Sequence, residues 1–286
     1  MKTQRFENKA IVIAGGAGGI GTAASLLLAS YGATAIVIGR KNSHMAVLRE
    51  RLKLIQPKSI CLEADLRSYD AWSSALRYVN DEFHRIDVLV NCVGTITPGS
   101  LDELTIDQIT SAVETNLLSA VYGMRAALPI MKSQRRGHII TLGSLGGIVP
   151  MPFESLYCAT KFAVRGFCLS MSQELNNTGI DVSLISPGPV RTKMLDLEAS
   201  DDRWSMSFVQ HPLDPEQVAE AIVQLIEKPQ RELILPRTTG KLSLLVNLFP
   251  DLFRLVYPVL DFVGKIKLKK YRETRLNLEP FVFRET

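Results

Sequence analysis

The segment "SLYCATKFAVRGF" sets a phenol and an ammonium four residues apart, Tyr157 and Lys161. A helix brings positions i and i+4 side by side on one face. Such a pair can serve as an acid held ready by a cation. Tyrosine ionises near pH ~10 in water. A cation about 4 Å away is worth up to roughly 4 kcal/mol at an effective dielectric near 20, or about three pKa units before desolvation opposes it. A packed tyrosine beside a surface lysine has the same spacing, so the rest of the chain must decide.

A second stretch offers a place for a cofactor. "AGGAGGIG" carries Gly15, Gly19 and Gly21 in the spacing G-x-x-x-G-x-G, with Ile20 between the last two. It lies between an apolar, strand-like run and the helix-like "TAASLLLASYG". Glycines there allow a tight turn and close approach of backbone to a pyrophosphate, and the helix start supplies N–H donors and a favourable dipole. The second strand-like run ends in "IVIGRK". An acidic residue at its end would hold a ribose 2′-hydroxyl and repel a 2′-phosphate. Gly39 stands there instead, followed by Arg40 and Lys41, and two cations favour NADP(H). After the third run, Asp65 is placed to accept from an adenine amino group, with Leu66 behind it.

These residues need a scaffold. Apolar runs rich in β-branched residues, "KAIVIAG", "TAIVIGR", "KSICLEA", "DVLVNCV", "GHIITLG", "DVSLISPG" and "RELILP", alternate with helix-period segments such as 22–31, 69–83, 106–131, 156–176 and 215–227. Continuous apolar runs suit strands covered on both faces. The pattern predicts an α/β, Rossmann-like, doubly wound parallel sheet of about seven strands with helices on both faces, plus a C-terminal helical extension. Residues 1–236 read as one catalytic domain and 237–286 as the extension. Two segments break the alternation. Residues 191–213 leave the end of a strand and mix Met, Leu, Trp and Phe with charges, which reads as a substrate lid rather than a disordered loop. In the tail, Leu245, Leu248, Phe249, Leu252, Phe253 and Val256 fall at helical spacing, Pro250 and Pro258 each suit a helix start, and Lys265, Lys267, Lys269, Lys270 and Arg272 follow. The tail either packs on its own domain or across an oligomer interface, or it lies on an anionic membrane as an apolar wedge with basic anchors.

Bulk properties exclude other classes. The chain has 286 residues, 46% hydrophobic and 22% charged, with a formal charge of +4. That suits a globular protein and gives no argument for nucleic acid. Cys61, Cys92, Cys158 and Cys168, and His44, His84, His138 and His211, are scattered without metal-ligand spacing, so no metal is expected. The start runs almost directly into the first strand, without a signal peptide pattern, and no run of 18 apolar residues is present. The expectation is a cytoplasmic protein, with peripheral membrane association through the tail as the second reading of that segment.

Taken in order, the glycine loop, "ADL", "NCVG", "ETNLLSAVYG", "GHIITLGSLGG", "YCATK" and "SPGPVRT" resemble the short-chain dehydrogenase/reductase family across roughly residues 7–236. The resemblance implies a catalytic set of Asn116, Ser144, Tyr157 and Lys161, with Ser144 stabilising the substrate oxygen and Asn116 positioning a water beside Lys161. It implies that Asn91 and Gly94 support the cofactor, that Pro187 and Gly188 shape a turn, and that Val190 and Thr192 touch the nicotinamide carboxamide. It implies an oxidoreductase interconverting a small-molecule carbonyl and an alcohol, assembled as a homodimer or homotetramer through its long helices. The insert and tail suggest a lipophilic substrate. The alternative is a non-enzymatic NADP(H)-binding sensor or scaffold that acts through the tail. Ala14 replaces the usual threonine and "NCVG" the usual N-N-A-G, both at supporting positions.

Overall fold

The computed structural model describes residues 4–97, 99–248 and 250–278. Seven strands form one parallel sheet: β1 (Ala10–Ala14), β2 (Thr34–Gly39), β3 (Ile60–Glu63), β4 (Val88–Asn91), β5 (Gly137–Leu142), β6 (Ile180–Pro187) and β7 (Glu232–Leu235). Their order is β3-β2-β1-β4-β5-β6-β7. The order reverses between β1 and β4, and ligands of open α/β sheets bind beyond the strand ends at such a point.

The continuous apolar runs are explained by cover on both faces. Ile11 and Ile13 face a core shared with α1 (Gly19–Ser30), α2 (Ser43–Ile55) and, further along the chain, Pro215–Glu227. Val12 and Ala14 face the opposite core, filled by Trp72, Leu76 and Val79 of α3 (Tyr69–Phe83) and by Met124 and Ala127. α2 was not among the segments read as helical. Its signals were Asn42, whose side chain accepts from Met45 N, and the spacing of Met45, Leu48 and Leu52.

One long helix was expected over 106–131. The chain instead forms α4 (Ile106–Val113), a π turn over Glu114–Leu118 and α5 (Ser119–Gln134). A π turn inserts one residue into the helical ladder and often marks a functional position. Here it carries Asn116. The remaining helices of the domain are α6 (Ser155–Glu174), α7 (Lys193–Glu198) and α8 (Pro215–Glu227).

The segment 191–213 is ordered as α7 followed by a 3₁₀ segment, Asp202–Phe208. Trp204 and Phe208 are buried in it. The tail forms α9 (Arg237–Leu248) and α10 (Pro250–Leu278). Pro250 does start a helix, but Pro258 does not: it lies inside α10, on an exposed stretch where water can satisfy the carbonyl that proline leaves without a donor. Phe249 and residues 279–286 lie outside the described residues.

α10 packs on the insert. Gly264 sits so close to Ser205 O that a Cβ would collide with it. Leu268 joins Leu195, Ala199 and Phe208 in a small core. Tyr271 OH donates to Asp196 Oδ1 at 2.7 Å, and Arg272 donates to Ala199 O and pairs with Asp202. Of the five expected basic anchors, Lys265 pairs with Asp261, Lys267 donates to Val209 O and Arg272 is held as above. Two of the five, Lys267 and Arg272, therefore bind the protein's own insert. The opposite face of α10 keeps an exposed stripe, Leu255, Val259, Phe262 and Ile266, at i, i+4, i+7 and i+11. No described helix is long and apolar enough to cross a membrane.

Candidate active site

The reactive side chains come from three elements. Tyr157 and Lys161 lie one turn apart on α6, near its start. Ser144 follows β5 and caps a short 3₁₀ turn, accepting from Gly146 N at 3.0 Å. Its hydroxyl is also hydrogen-bonded to Tyr157. Lys161 is 4% exposed, and its Nζ donates to Leu142 O at 3.0 Å. It stands 5.8 Å from the centre of the Tyr157 ring.

Asn116 is fully engaged. Its Oδ1 accepts from Thr95 N at 2.7 Å, while Nδ2 donates to Thr95 O at 3.0 Å and Thr160 Oγ1 at 3.1 Å. Gly94 lies between it and the lysine: a Cβ there would stand 3.4 Å from Lys161 Nζ and 3.6 Å from Asn116 Oδ1. Thr95 and Thr160, which clamp Asn116, carry no sequence signal of their own beyond their neighbours.

Burial dominates the electrostatics. It pushes the Tyr157 phenol above its ordinary range, the Ser144 hydrogen bond opposes this, and Glu198 and Glu154 raise it further. Burial also pushes Lys161 down to about 8. The lowering of the phenol expected from Lys161 is not found: among its neighbours only Ser144 pulls the phenol down, and Lys161 is itself desolvated.

The glycine loop lies at the other end of the site. Gly15 has φ +72°, a left-handed value that favours glycine. A Cβ on Gly21 would fall 2.5 Å from Gly15 O, so α1 approaches its own loop as only glycine allows. The helix start at Gly18 has no side-chain cap and no acid in its first turn. Its N–H donors and positive end therefore face the cavity uncompensated, as a pyrophosphate requires. This is the observation on which a dinucleotide fits.

A cavity of about 1650 Å³ joins the two ends. Its walls include Gly15, Gly19, Ile20, Gly21, Gly94, Ser144, Tyr157, Lys161, Pro187, Gly188, Val190 and Thr192. Thr192 packs against the loop, where a Cβ on Gly19 would meet its methyl at 2.7 Å. Arg40, Lys41, Asp65, Leu66, Asn91 and Asn116 stand outside this wall. Arg40 and Lys41 are exposed just beyond β2. Asp65 is held below the usual carboxylate range, chiefly by hydrogen bonds from Arg67, and feels Arg40 more weakly. Arg67 grips both its oxygens, so its carboxylate is already engaged. Arg67, two residues on in "ADLRS", is a third cation at this edge that the motif reading passed over. Leu66 is buried, and its carbonyl accepts from Trp72 Nε1. Asn91 Oδ1 accepts from Val93 N at 3.0 Å and braces the turn after β4.

The insert and tail close the cavity. Met194, Leu195, Met206 and Val209 line it from the insert, and Leu242, Val246, Phe253, Val256 and Leu260 from α9 and α10. Two residues absent from the sequence reading also line it, Glu154 and Glu198. They are 44 residues apart, and no spacing rule connects them.

Comparison with known proteins agrees with this architecture. The family model for short chain dehydrogenase matches residues 9–203. An uncharacterized oxidoreductase of Staphylococcus saprophyticus is 30% identical over 233 residues, covering 78% of this chain and 92% of its own. A crystal structure of an actinorhodin polyketide ketoreductase variant with NADPH superposes with a TM-score of 0.75 at 26% identity, covering 84% of this chain and 99% of its own. A short chain dehydrogenase from Burkholderia cenocepacia in complex with NADP gives a TM-score of 0.72 at 26% identity, over 82% and 98% of the two chains.

Proposed function

We propose a reaction for this chain, which belongs to the short-chain dehydrogenase family and is an oxidoreductase: NADP(H)-dependent interconversion of a carbonyl and an alcohol, with Tyr157 as general acid and base. The observation that carries the reading is the convergence of Ser144, Tyr157 and Lys161 on one wall of a cavity that ends at the uncapped start of α1.

A bound nicotinamide cofactor supplies the hydride. The chain's own residues do the rest. The backbone N–H groups at the start of α1 and the glycine loop hold the pyrophosphate. Arg40 and Lys41, with Arg67 nearby, favour a 2′-phosphate over a bare ribose. Pro187, Gly188, Val190 and Thr192 line the cavity between the loop and Tyr157 and are assigned to the nicotinamide end. Ser144 turns its hydroxyl from Tyr157 to donate to the substrate oxygen and stabilises the charge that develops there. Tyr157 gives its phenolic proton to that oxygen in reduction and takes it back in oxidation. A high phenol pKa keeps the proton on Tyr157 at neutral pH, which suits an acid. Lys161 supplies the nearby positive charge that stabilises the phenolate left behind. Asn116 is assigned to position a water beside Lys161 through its place in the π turn, since its amide is committed to Thr95 and Thr160.

The substrate is lipophilic: the insert and tail present Met, Leu, Val and Phe side chains to it, and the segment 191–213 acts as its lid. The exposed stripe of α10, continued by the exposed cations Lys269 and Lys270, is assigned to the surface of an anionic membrane. The assembly is a homodimer or homotetramer.

The test is NADPH oxidation over ketones and aldehydes of increasing chain length, in wild type and Tyr157→Phe, with NADPH binding checked in both. Losing the general acid is expected to cost about 10²–10⁴-fold in kcat while binding is retained. Equal turnover in the variant would remove Tyr157 from the chemistry.

A further inference from the structure

Glu154 and Glu198 form a pair that the reaction above does not use. Glu154 stands at the entry to α6, three residues before Tyr157, and Glu198 ends α7. Both line the cavity, yet their side chains sit deep in its wall, with the residues 3% and 8% exposed. Ser207 of the insert hydrogen-bonds to both, reaching Glu154 Oε1 at 3.4 Å. No cation of the described residues offsets either carboxyl. The cavity's lysines are committed elsewhere: Lys161 to Leu142 O, Lys193 to His44, and Lys267 to Val209 O. Burial raises both carboxyls above the usual range, and for Glu154 the neighbouring Glu198 adds to it.

Two buried carboxyls without a counter-charge are costly in an apolar chamber, where Leu or Gln would pack as well. A charge can reach them through the cavity they line. We infer that Glu154 and Glu198 are a subsite for a cationic amino group on the substrate, and that the substrate class is a lipophilic amino ketone or amino alcohol. This rests on the carbonyl–alcohol reading above. Glu154 caps α6 three residues before Tyr157 and lines the same cavity, so an amine held at Glu154 lies a few bonds from the carbon that reacts beside Tyr157. The apolar remainder runs towards Met206, Val246, Phe253 and Leu260.

The pair, holding a proton, meets an ammonium ion; the carboxylic proton leaves to solvent, and the carboxylate pairs with the ammonium. The ammonium also offsets the negative charge that Glu198 and Glu154 direct at Tyr157.

Two experiments test this on the full chain with NADPH. The first compares kcat/KM for long-chain ketones bearing an amine two or three carbons from the carbonyl with their methyl isosteres. The amino ketones are expected to be preferred by about tenfold or more, the worth of a charge-assisted contact. The preference is expected to collapse in Glu198→Gln and Glu154→Gln. The second is calorimetric titration with octylamine and with octanol in buffers of different ionisation enthalpy. Octylamine is expected to bind more tightly and to release a proton, and Glu198→Gln to lose both effects. Turnover of neutral ketones without an amine preference would overturn the subsite and leave the reductase standing. Absence of all turnover would count against the reductase. The titration would still decide the subsite, since equal binding of amine and alcohol, or binding without proton release, overturns it.

Discussion

At the residue scale, the reactive set is a balance between burial and charge. Tyr157 is buried enough to keep its proton, and Ser144 alone among its neighbours pulls the other way. The Tyr157–Lys161 spacing and the glycine loop were legible because each obeys a local rule, helical periodicity in one case and backbone room in the other. The Glu154–Glu198 pair was not, because it forms only when α7 folds back over the start of α6. That pair makes a stability prediction. A carboxyl whose folded pKa lies above its unfolded value stabilises the fold below the unfolded pKa, and that stability is lost as pH rises through the folded pKa. Wild type should therefore lose Tm between pH 5 and 9, and Glu154→Gln should flatten the loss; parallel Tm-against-pH curves would contradict the burial of these groups. Arg40→Ala should weaken NADPH far more than NADH, and an unchanged ratio of the two Kd values would take Arg40 out of the cofactor site.

At the scale of elements, the sheet order brings the glycine loop and the Ser144 turn to the carboxyl ends of the central strands, and apolar runs revealed the strands well because cover on both faces leaves them uniformly hydrophobic. The helix over 106–131 was read as continuous because a π turn keeps nearly the same periodicity; its extra residue shows only in the geometry that presents Asn116 to Thr95 and Thr160. Pro258 was read as a second helix start, yet an exposed proline can sit inside a helix when water takes the freed carbonyl. Two glycines separate the functions of the ends. Gly21→Ala should abolish NADPH binding or cost at least about 1–3 kcal/mol of stability, because the clash is with backbone. Gly264→Leu should lift α10 from the 3₁₀ segment, raising KM for long-chain carbonyls with NADPH affinity kept. If that variant left the chain-length trend untouched, α10 would not wall the substrate.

At the scale of the whole molecule, the Rossmann-like domain walls the glycine-loop end of the cavity, and the insert and tail wall its apolar end. The tail's role was the least legible part, since a helix apolar on two faces satisfies several environments equally until one face is seen packed. α10 gives its inner face to the insert and leaves Leu255, Val259, Phe262 and Ile266 outside. Anionic vesicles should retain the full chain, and Val259→Lys with Phe262→Lys should release it. Equal recovery in the soluble fraction would exclude the membrane, and a dimer split by the same changes would assign the stripe to a subunit interface. The most direct test of the central claim follows the transferred atom. NADPH deuterated at the transferable position is incubated with a lipophilic ketone, and the alcohol is analysed by mass spectrometry. Wild type should place one deuterium on the carbinol carbon, with the yield falling sharply in Tyr157→Phe despite bound cofactor. An alcohol formed without label, or equally well by the variant, would contradict hydride transfer assisted by Tyr157.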